Sequence, residues 1–301
     1  MKTFLFLLLF SVLSVTLMAQ TPVALKLNLE KGKTYTVKTI SKQVMQQGVA
    51  GQSMTINILS NHVISFKMLG QENDVVELEV RFDTIVNKIS TAMYTKESNS
   101  ALPGKEPLER LQNKISLYPL NAKVSSSGKF IGFTNLDQFK EKVMLVIDSL
   151  PDTKKDEAKK QAEMMLKESV LKSSVEPLFS HLTEKQVAIN DSWESSYVAT
   201  QNDISFLVFL TYTLKAIEKG QAVVSGTSEM ESMPSSNSTI KLEQPIKGSS
   251  VFDGRVDLTT GLMSTLSQKN KLEGNMTVSS GGTDYKVDLK IDAQSESSLI
   301  K

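Results

Sequence analysis

The chain has 301 residues, 34 Lys and Arg against 33 Asp and Glu, two His and no Cys, so disulfides, thiolate metal sites and cysteine nucleophiles are excluded outright. A net charge of +1, with Arg only at Arg81, Arg110 and Arg255, argues against nucleic acid and phosphorylated substrates. Binders of the first carry a strong basic bias, and bidentate clamps on the second are built from Arg.

Lys2 and the apolar run from Phe4 to Leu17 predict a cleavable secretory signal peptide over residues 1–19, with Ala19 and Gln20 flanking the cut. Leu17 occupies a place that favours a small residue, so the cut has room to shift by a position or two. The run falls short of the roughly 20 residues that cross a bilayer, and no Cys follows it to take a lipid anchor. The expected mature chain, 20–301, is exported, periplasmic or secreted, without a lipid anchor or a transmembrane segment. Without Lys2 its basic and acidic residues balance at 33 each.

From Val23 to Ser90 apolar and polar residues alternate, which predicts antiparallel strands. Val76, Leu78, Val80 and Phe82 share one face of the clearest strand, with Glu77, Glu79, Arg81 and Asp83 on the other. Glu30-Lys31-Gly32-Lys33 reads as a hairpin turn. Residues 91–108, rich in Asn, Pro and Gly, read as a polar connection unable to hold a regular ladder, followed by a loop or short helix. A hairpin over Lys114 to Phe133 turns at Ser125 to Lys129.

Thr134 and Asp137 approximate a capping box, and Leu136, Phe139, Val143, Val146, Ile147 and Leu150 form a helical stripe that Pro151 ends. A second helix is expected from Asp152 to Leu178, burying Ala158, Ala162, Met165, Leu166, Val175 and Leu178. Asp156–Lys160, Glu163–Lys167 and Glu168–Lys172 decorate its exposed side. From Gln186 onward strands return, with turns at Glu218-Lys219-Gly220-Gln221, Thr259-Thr260-Gly261 and Ser279-Ser280-Gly281-Gly282 and a clean final strand through Tyr285, Val287, Leu289 and Ile291. The fold class is therefore α+β, a predominantly antiparallel sheet, curved or an open half-barrel, with a central pair of helices packed on it. It reads as a single β-rich domain, or two sheet halves (20–133 and 186–301) joined by a helical segment, 134–180.

No catalytic constellation emerges. His62 and His181 have no ligand spacing between them and read as structural, the second near a helix C-terminus. Ser126 with Lys129 and Ser169 with Lys172 satisfy S-x-x-K, but neither has the S-D-N or K-T-G companion of penicillin-recognising enzymes. Asp253 with Asp257 and Asp288 with Asp292 fall on strand faces opposite the apolar one, where carboxylates are solvated. Trp193 reads as a core anchor at a strand start rather than a sugar platform. No cofactor, metal or catalytic residue is assigned. The remaining signal is Phe139, Met144, Met164 and Met165, candidates to line an apolar cavity between sheet and helices, since Met adapts to irregular hydrophobic sites.

Four segments, Leu25 to Tyr35, Ala122 to Lys129, Leu182 to Trp193 and Asp257 to Leu262, resemble those of an uncharacterised family of secreted β-rich proteins common in Bacteroidota. The resemblance implies export and a β-rich fold, and no site. The plan of a curved sheet wrapping helices is also similar to lipoprotein-carrier-like folds, an analogy of fold alone. The expected function is a non-enzymatic exported binding protein for a lipid or other apolar small molecule. Its rivals are a structural or interaction module contacting an envelope protein and, third, a serine hydrolase.

Overall fold

A computed structural model describes residues 21–49, 51–201, 204–234, 240–280 and 282–300; the expected leader with Ala19 and Gln20 lies outside them. The N-terminal half supplies β1 (Val23–Ala24), β2 (Thr34–Val49), β3 (Gln52–Glu72), β4 (Val75–Ser90), β5 (Thr95–Asn99), β6 (Leu120–Ser125) and β7 (Phe130–Phe133). The C-terminal half supplies β8 (Gln186–Val187), β9 (Ser192–Gln201), β10 (Ile204–Glu218), β11 (Gln221–Ser232), β12 (Ile240–Lys241), β13 (Lys247–Asp257), β14 (Met263–Ser280) and β15 (Thr283–Ile300). Thirteen strands form one antiparallel sheet, ordered β7-β6-β4-β3-β2-β15-β14-β13-β11-β10-β9, with β5 added to β4 and β12 to β14. The sheet is curved and does not close into a barrel.

Each half is a meander of hairpins, and the two join where β2 pairs with β15, from Thr36 opposite Ile300 to Val49 opposite Val287. Alternation fixes the faces. On β15 the side chains of Val287, Leu289, Ile291 and Ala293 point inward while Lys286, Asp288, Lys290 and Asp292 are exposed. Lys219 and Gly220, at φ 49 and 77, give the β10–β11 hairpin the doubly left-handed turn that matches strand twist.

Four helices lie between the outer strands: α1 (Pro107–Leu117), α2 (Leu136–Asp148), α3 (Asp152–Met165) and α4 (Glu168–Val175). None of the described helices is long and apolar enough to cross a membrane. The expected helical pair is thus a larger set, and the long second helix is broken at Leu166 and Lys167. Its phase explains the break. Ala158, Ala162 and Leu166 are buried four residues apart, but the next buried positions are Leu171 and Val175; a straight helix would have turned Ser169 and Ser173 inward. The break resets the stripe.

Other local readings are corrected too. Residues 95–99 do hold a ladder, because backbone pairing of Thr95–Asn99 with Ser90–Val86 needs no apolar side chains. The α2 capping box does not form. Asn135 is the cap residue, and its side-chain oxygen accepts from the Asn121 amide at 2.7 Å. The Glu30–Lys33 turn exists, with Gly32 at φ 80, but the segment before it is no hairpin partner.

That segment, residues 25–29, threads between the halves. The Leu27 amide donates to Ser126 O at 2.7 Å and the Asn28 amide to Thr260 O at 2.9 Å, while Leu25, Leu27 and Leu29 are buried. It thereby touches both cores. One unites α1–α4 with the inner face of β2, β3, β4 and β6 around Phe66, Leu78, Phe139, Val143 and Phe179. The other lies under β9, β10, β11 and β13 around Trp193, Tyr212, Val224 and Phe252.

Candidate functional site

Between those two cores the packing opens into a cavity of about 220 Å³. Its sheet wall comes from β3, β2, β15, β14, β13, β10 and β9, through Phe66, Val37, Leu210, Phe252, Leu266 and their neighbours. Its cover is the segment that follows α4, where a single 3-10 turn (Glu176–Leu178) brings Pro177, Leu178, Ser180 and His181 over the sheet. Pro177 lacks the amide an α-helix would need, which favours this irregular crossing.

The cover is pinned by hydrogen bonds. His181 is 2% exposed, and its Nε2 donates to Gly261 O at 2.8 Å. Trp193 Nε1 donates to His181 O at 3.0 Å, and the indole stacks on Tyr212 at 5.4 Å. The Thr183 amide donates to Leu25 O at 3.0 Å, tying the cover to the threaded segment. Burial pushes the His181 imidazole down to about 4, against a smaller upward pull from the Gly261 carbonyl, so the ring is neutral at pH 7 and anchors structure rather than chemistry.

The polar groups at the wall are hydroxyls and one carboxamide. Ser180 Oγ donates to Pro177 O at 3.1 Å, so the 2.9 Å contact between Ser180 Oγ and Tyr212 Oη has the tyrosine as donor. Burial raises the Tyr212 phenol well above its ordinary value. Burial also pushes Tyr197 up to about 12, with help from the Glu176 carboxylate. Thr39 and Ser297 hydroxyls meet at 2.8 Å across β2 and β15, and Gln268 Nε2 donates to Ser250 Oγ at 3.1 Å. The hydroxyls of Tyr197 and Ser295 have no hydrogen-bond partner among the described residues. No Lys, Arg, Asp or Glu is among the described residues lining the cavity. Tyr212→Phe is expected to cost about 1 kcal/mol of stability, the worth of one net hydrogen bond, measured by urea unfolding against the wild type.

The four residues expected to line a cavity are elsewhere. Phe139 is 1% exposed inside the helix–sheet core, against which Met144 and Met165 also pack. Met164 is 37% exposed, and Met144 borders only a surface hollow beside Leu145 and Lys159. The reason is position: α1 packs on β4 and α2 on β6, with α3 stacked on those helices, over the half where the sheet is filled, and the opening lies beyond α4.

The S-x-x-K pairs do not enter the cavity either. Ser126 is buried and donates to the Asp74 carboxylate. Ser169 is exposed on α4, and Lys172 pairs with Glu176 at 3.4 Å. Asp253, Asp288 and Asp292 sit on the outer sheet face, whereas Asp257 Oδ1 accepts the Thr259 and Thr260 amides at 2.9 Å each and shapes the turn that meets His181. His62 is a sheet residue, its Nε2 3.3 Å from Asn87 Oδ1, and burial lowers its pKa.

The real lining did leave a trace in the sequence. The inner face of β15 reads Val287, Leu289, Ile291, Ala293, then Ser295 and Ser297, and β14 follows Leu266 with Gln268. Polar residues replacing apolar ones at inward positions mark where a sheet face lines space instead of core.

The sequence pattern of a family of unknown function (DUF6263) matches residues 73–263. No curated protein matches the chain. Among solved structures, lipovitellin, in a structure described by its lipid–protein interactions, is similar at TM-score 0.47 and 10% identity, covering 91% of this chain and 26% of that one. The chain thus spans about a quarter of that protein's length. An outer membrane channel from Pseudomonas putida F1 gives a TM-score of 0.28 and 6% identity over 91% of this chain and 98% of the channel. OmpF of Salmonella typhi gives 0.23 and 6%, over 91% and 100%.

Proposed function

We infer that this chain, which belongs to the family of unknown function DUF6263, is an exported, non-enzymatic binding protein for a small, uncharged, mainly apolar molecule. The observation that carries this is the seam cavity, apolar in bulk and bordered by hydroxyls, with no ionised side chain among its described lining residues. A charged ligand would lose its hydration there without a counter-ion, at a cost of several kcal/mol. An uncharged one loses only apolar hydration and meets the Tyr197 and Ser295 hydroxyls with a single carbonyl or hydroxyl group.

The cavity also bounds the ligand's size. At about 220 Å³ it is smaller than the roughly 300–1,000 Å³ usual for drug-sized ligands, so it suits one short chain or a small ring system. The ligand sits between two separately packed cores, and the cover over it is the 3-10 turn with the residues after it, held by Phe179 and Leu182 in the helix–sheet core and by hydrogen bonds.

N-phenyl-1-naphthylamine, a neutral apolar fluorophore, tests the reading. Its emission is expected to rise on binding to the full mature chain, and Ser297→Trp, which places an indole in the cavity, is expected to weaken binding at least tenfold. Solvent extraction of protein purified from its own cells, followed by mass spectrometry, is expected to release an uncharged small molecule. Absence of any extracted molecule together with probe binding indifferent to Ser297→Trp would sink the proposal.

A further inference from the structure

The outer face of the sheet carries a second opening, larger than the first, of about 950 Å³. It is a groove that runs across six strands, β4, β3, β2, β15, β14 and β13, between two rows of outward side chains. Strand register defines both rows. One wall reads Lys88, Leu59, Lys42, Gln294, Lys269, Val251, each directly opposite the next. The other, two residues along every strand, reads Ser90, Asn57, Val44, Asp292, Lys271, Ser249. With strands about 4.8 Å apart and alternate residues about 6.7 Å apart, the groove is roughly 24 Å long and one extended chain wide.

Its chemistry is two-sided. Val44, Leu59 and Val251 are 40%, 42% and 57% exposed, aliphatic residues on a face where alternation calls for polar ones; Val44 and Leu59 are neighbours on β2 and β3, and Val251 stands at the far end on β13. Four lysines line the same groove against one carboxylate, Asp292. None of the four makes an ion pair among the described residues, although elsewhere on the sheet Lys286 and Lys290 pair with Glu243 and Glu273 at 3.3 and 3.2 Å. No aromatic side chain is among its described lining residues, which argues against sugar stacking.

We propose that this outer groove binds an anionic amphiphile, an alkyl chain with a phosphate, sulfate or carboxylate head. The head is held between Lys42 on β2 and Lys269 and Lys271 on β14, which flank β15 on either side, and the chain lies over Val44 and Leu59. Lysine suits this arrangement, since its ammonium meets the head while its methylene stem extends the apolar strip. The site is separate from the seam cavity: it lies on the opposite face and selects a charged ligand where the cavity selects a neutral one.

Dodecyl phosphate, titrated calorimetrically below its micelle concentration into the full mature chain, is the probe. One-to-one binding is expected, weakened at least tenfold by Lys42→Glu with Lys269→Glu, weakened again by Leu59→Asn, and falling as salt is raised. These positions are exposed, so circular dichroism and thermal unfolding should be unchanged; the salt series tests the unmutated protein independently. Ser297→Trp on the inner face should leave this binding intact, which separates its failure from failure of the cavity. Equal affinity for inorganic phosphate would reduce the site to a headgroup patch, and equal affinity for dodecyl maltoside to a bare apolar strip. Binding only to anionic vesicles would make it a membrane-facing surface. Any of these, or indifference to the charge reversals, overturns the proposal.

Discussion

Gly261→Ala is expected to destabilise the protein by about 4 kcal/mol, among the larger losses a single substitution causes, read as a fall in unfolding free energy from urea titration. Two separate penalties add. Gly261 has φ 74, a left-handed conformation that costs an L-residue with a side chain about 1–2 kcal/mol. In addition, a Cβ there would lie 2.0 Å from Lys26 O and 2.6 Å from its carbonyl carbon, so the threaded segment would have to move. That segment carries Leu25, Leu27 and Leu29, all buried, and its displacement would open both cores at once.

Gly220→Ala supplies the control. Gly220 has a similar φ of 77, and a Cβ added to it would meet nothing within 4 Å, so it should show the conformational penalty alone, about 1–2 kcal/mol. Gly128→Ala should resemble Gly261→Ala, because its Cβ would lie 2.1 Å from Phe179 O, beside the cover of the cavity. If all three glycines behave alike, the close approach of these turns to the threaded segment and to the cover is not what fixes the seam.

The two turns also show how far sequence reading reaches. Gly128 and Gly261 are visible as turn residues, and the alternation of Val76 to Phe82 or of Tyr285 to Ile291 settles strand type and facing, because both are local properties. The stripe Phe139, Val143, Val146, Ile147 locates α2 for the same reason. What the turns press against is not local: Gly261 meets Lys26 across most of the chain, and β2 meets β15, the first long strand against the last. The cavity belongs to this second class. Its cover comes from residues 177–181, its wall from seven strands, and no window of sequence contains both. Methionine on α2 and α3 pointed to adaptable packing, which the structure uses to fill the core at Met144 and Met165. The more telling signal was Gln268, Ser295 and Ser297 at inward positions of otherwise apolar faces, which becomes readable only once the register of β14 on β15 is known.

Acid is expected to loosen the seam through His181, with about 3 kcal/mol of stability lost between pH 6.5 and pH 4. The sign follows from where the proton goes. The unfolded imidazole titrates near its ordinary 6.5, while burial holds the folded one down to about 4; between those values the unfolded chain binds a proton that the native chain refuses. Stability is therefore fully present above pH 6.5 and drains away as pH falls toward 4, by about 1.4 kcal/mol for each unit of separation. His62, also lowered by burial, acts in the same direction, and Glu176, raised by burial, in the opposite one. A difference measurement removes both. His181→Gln keeps an amide donor for Gly261 O but cannot titrate, so it should be less stable than the wild type at pH 7.5 and lose less on acidification. The gap between the two proteins in urea unfolding should shrink by about 2–3 kcal/mol from pH 7.5 to pH 4.5. Because the same imidazole pins the cover over the cavity, N-phenyl-1-naphthylamine should leave the wild type at a higher pH than it leaves His181→Gln. A gap that stays constant across the range would show that the ring exchanges its proton freely in the folded protein, and that the cover is not sealed by its burial.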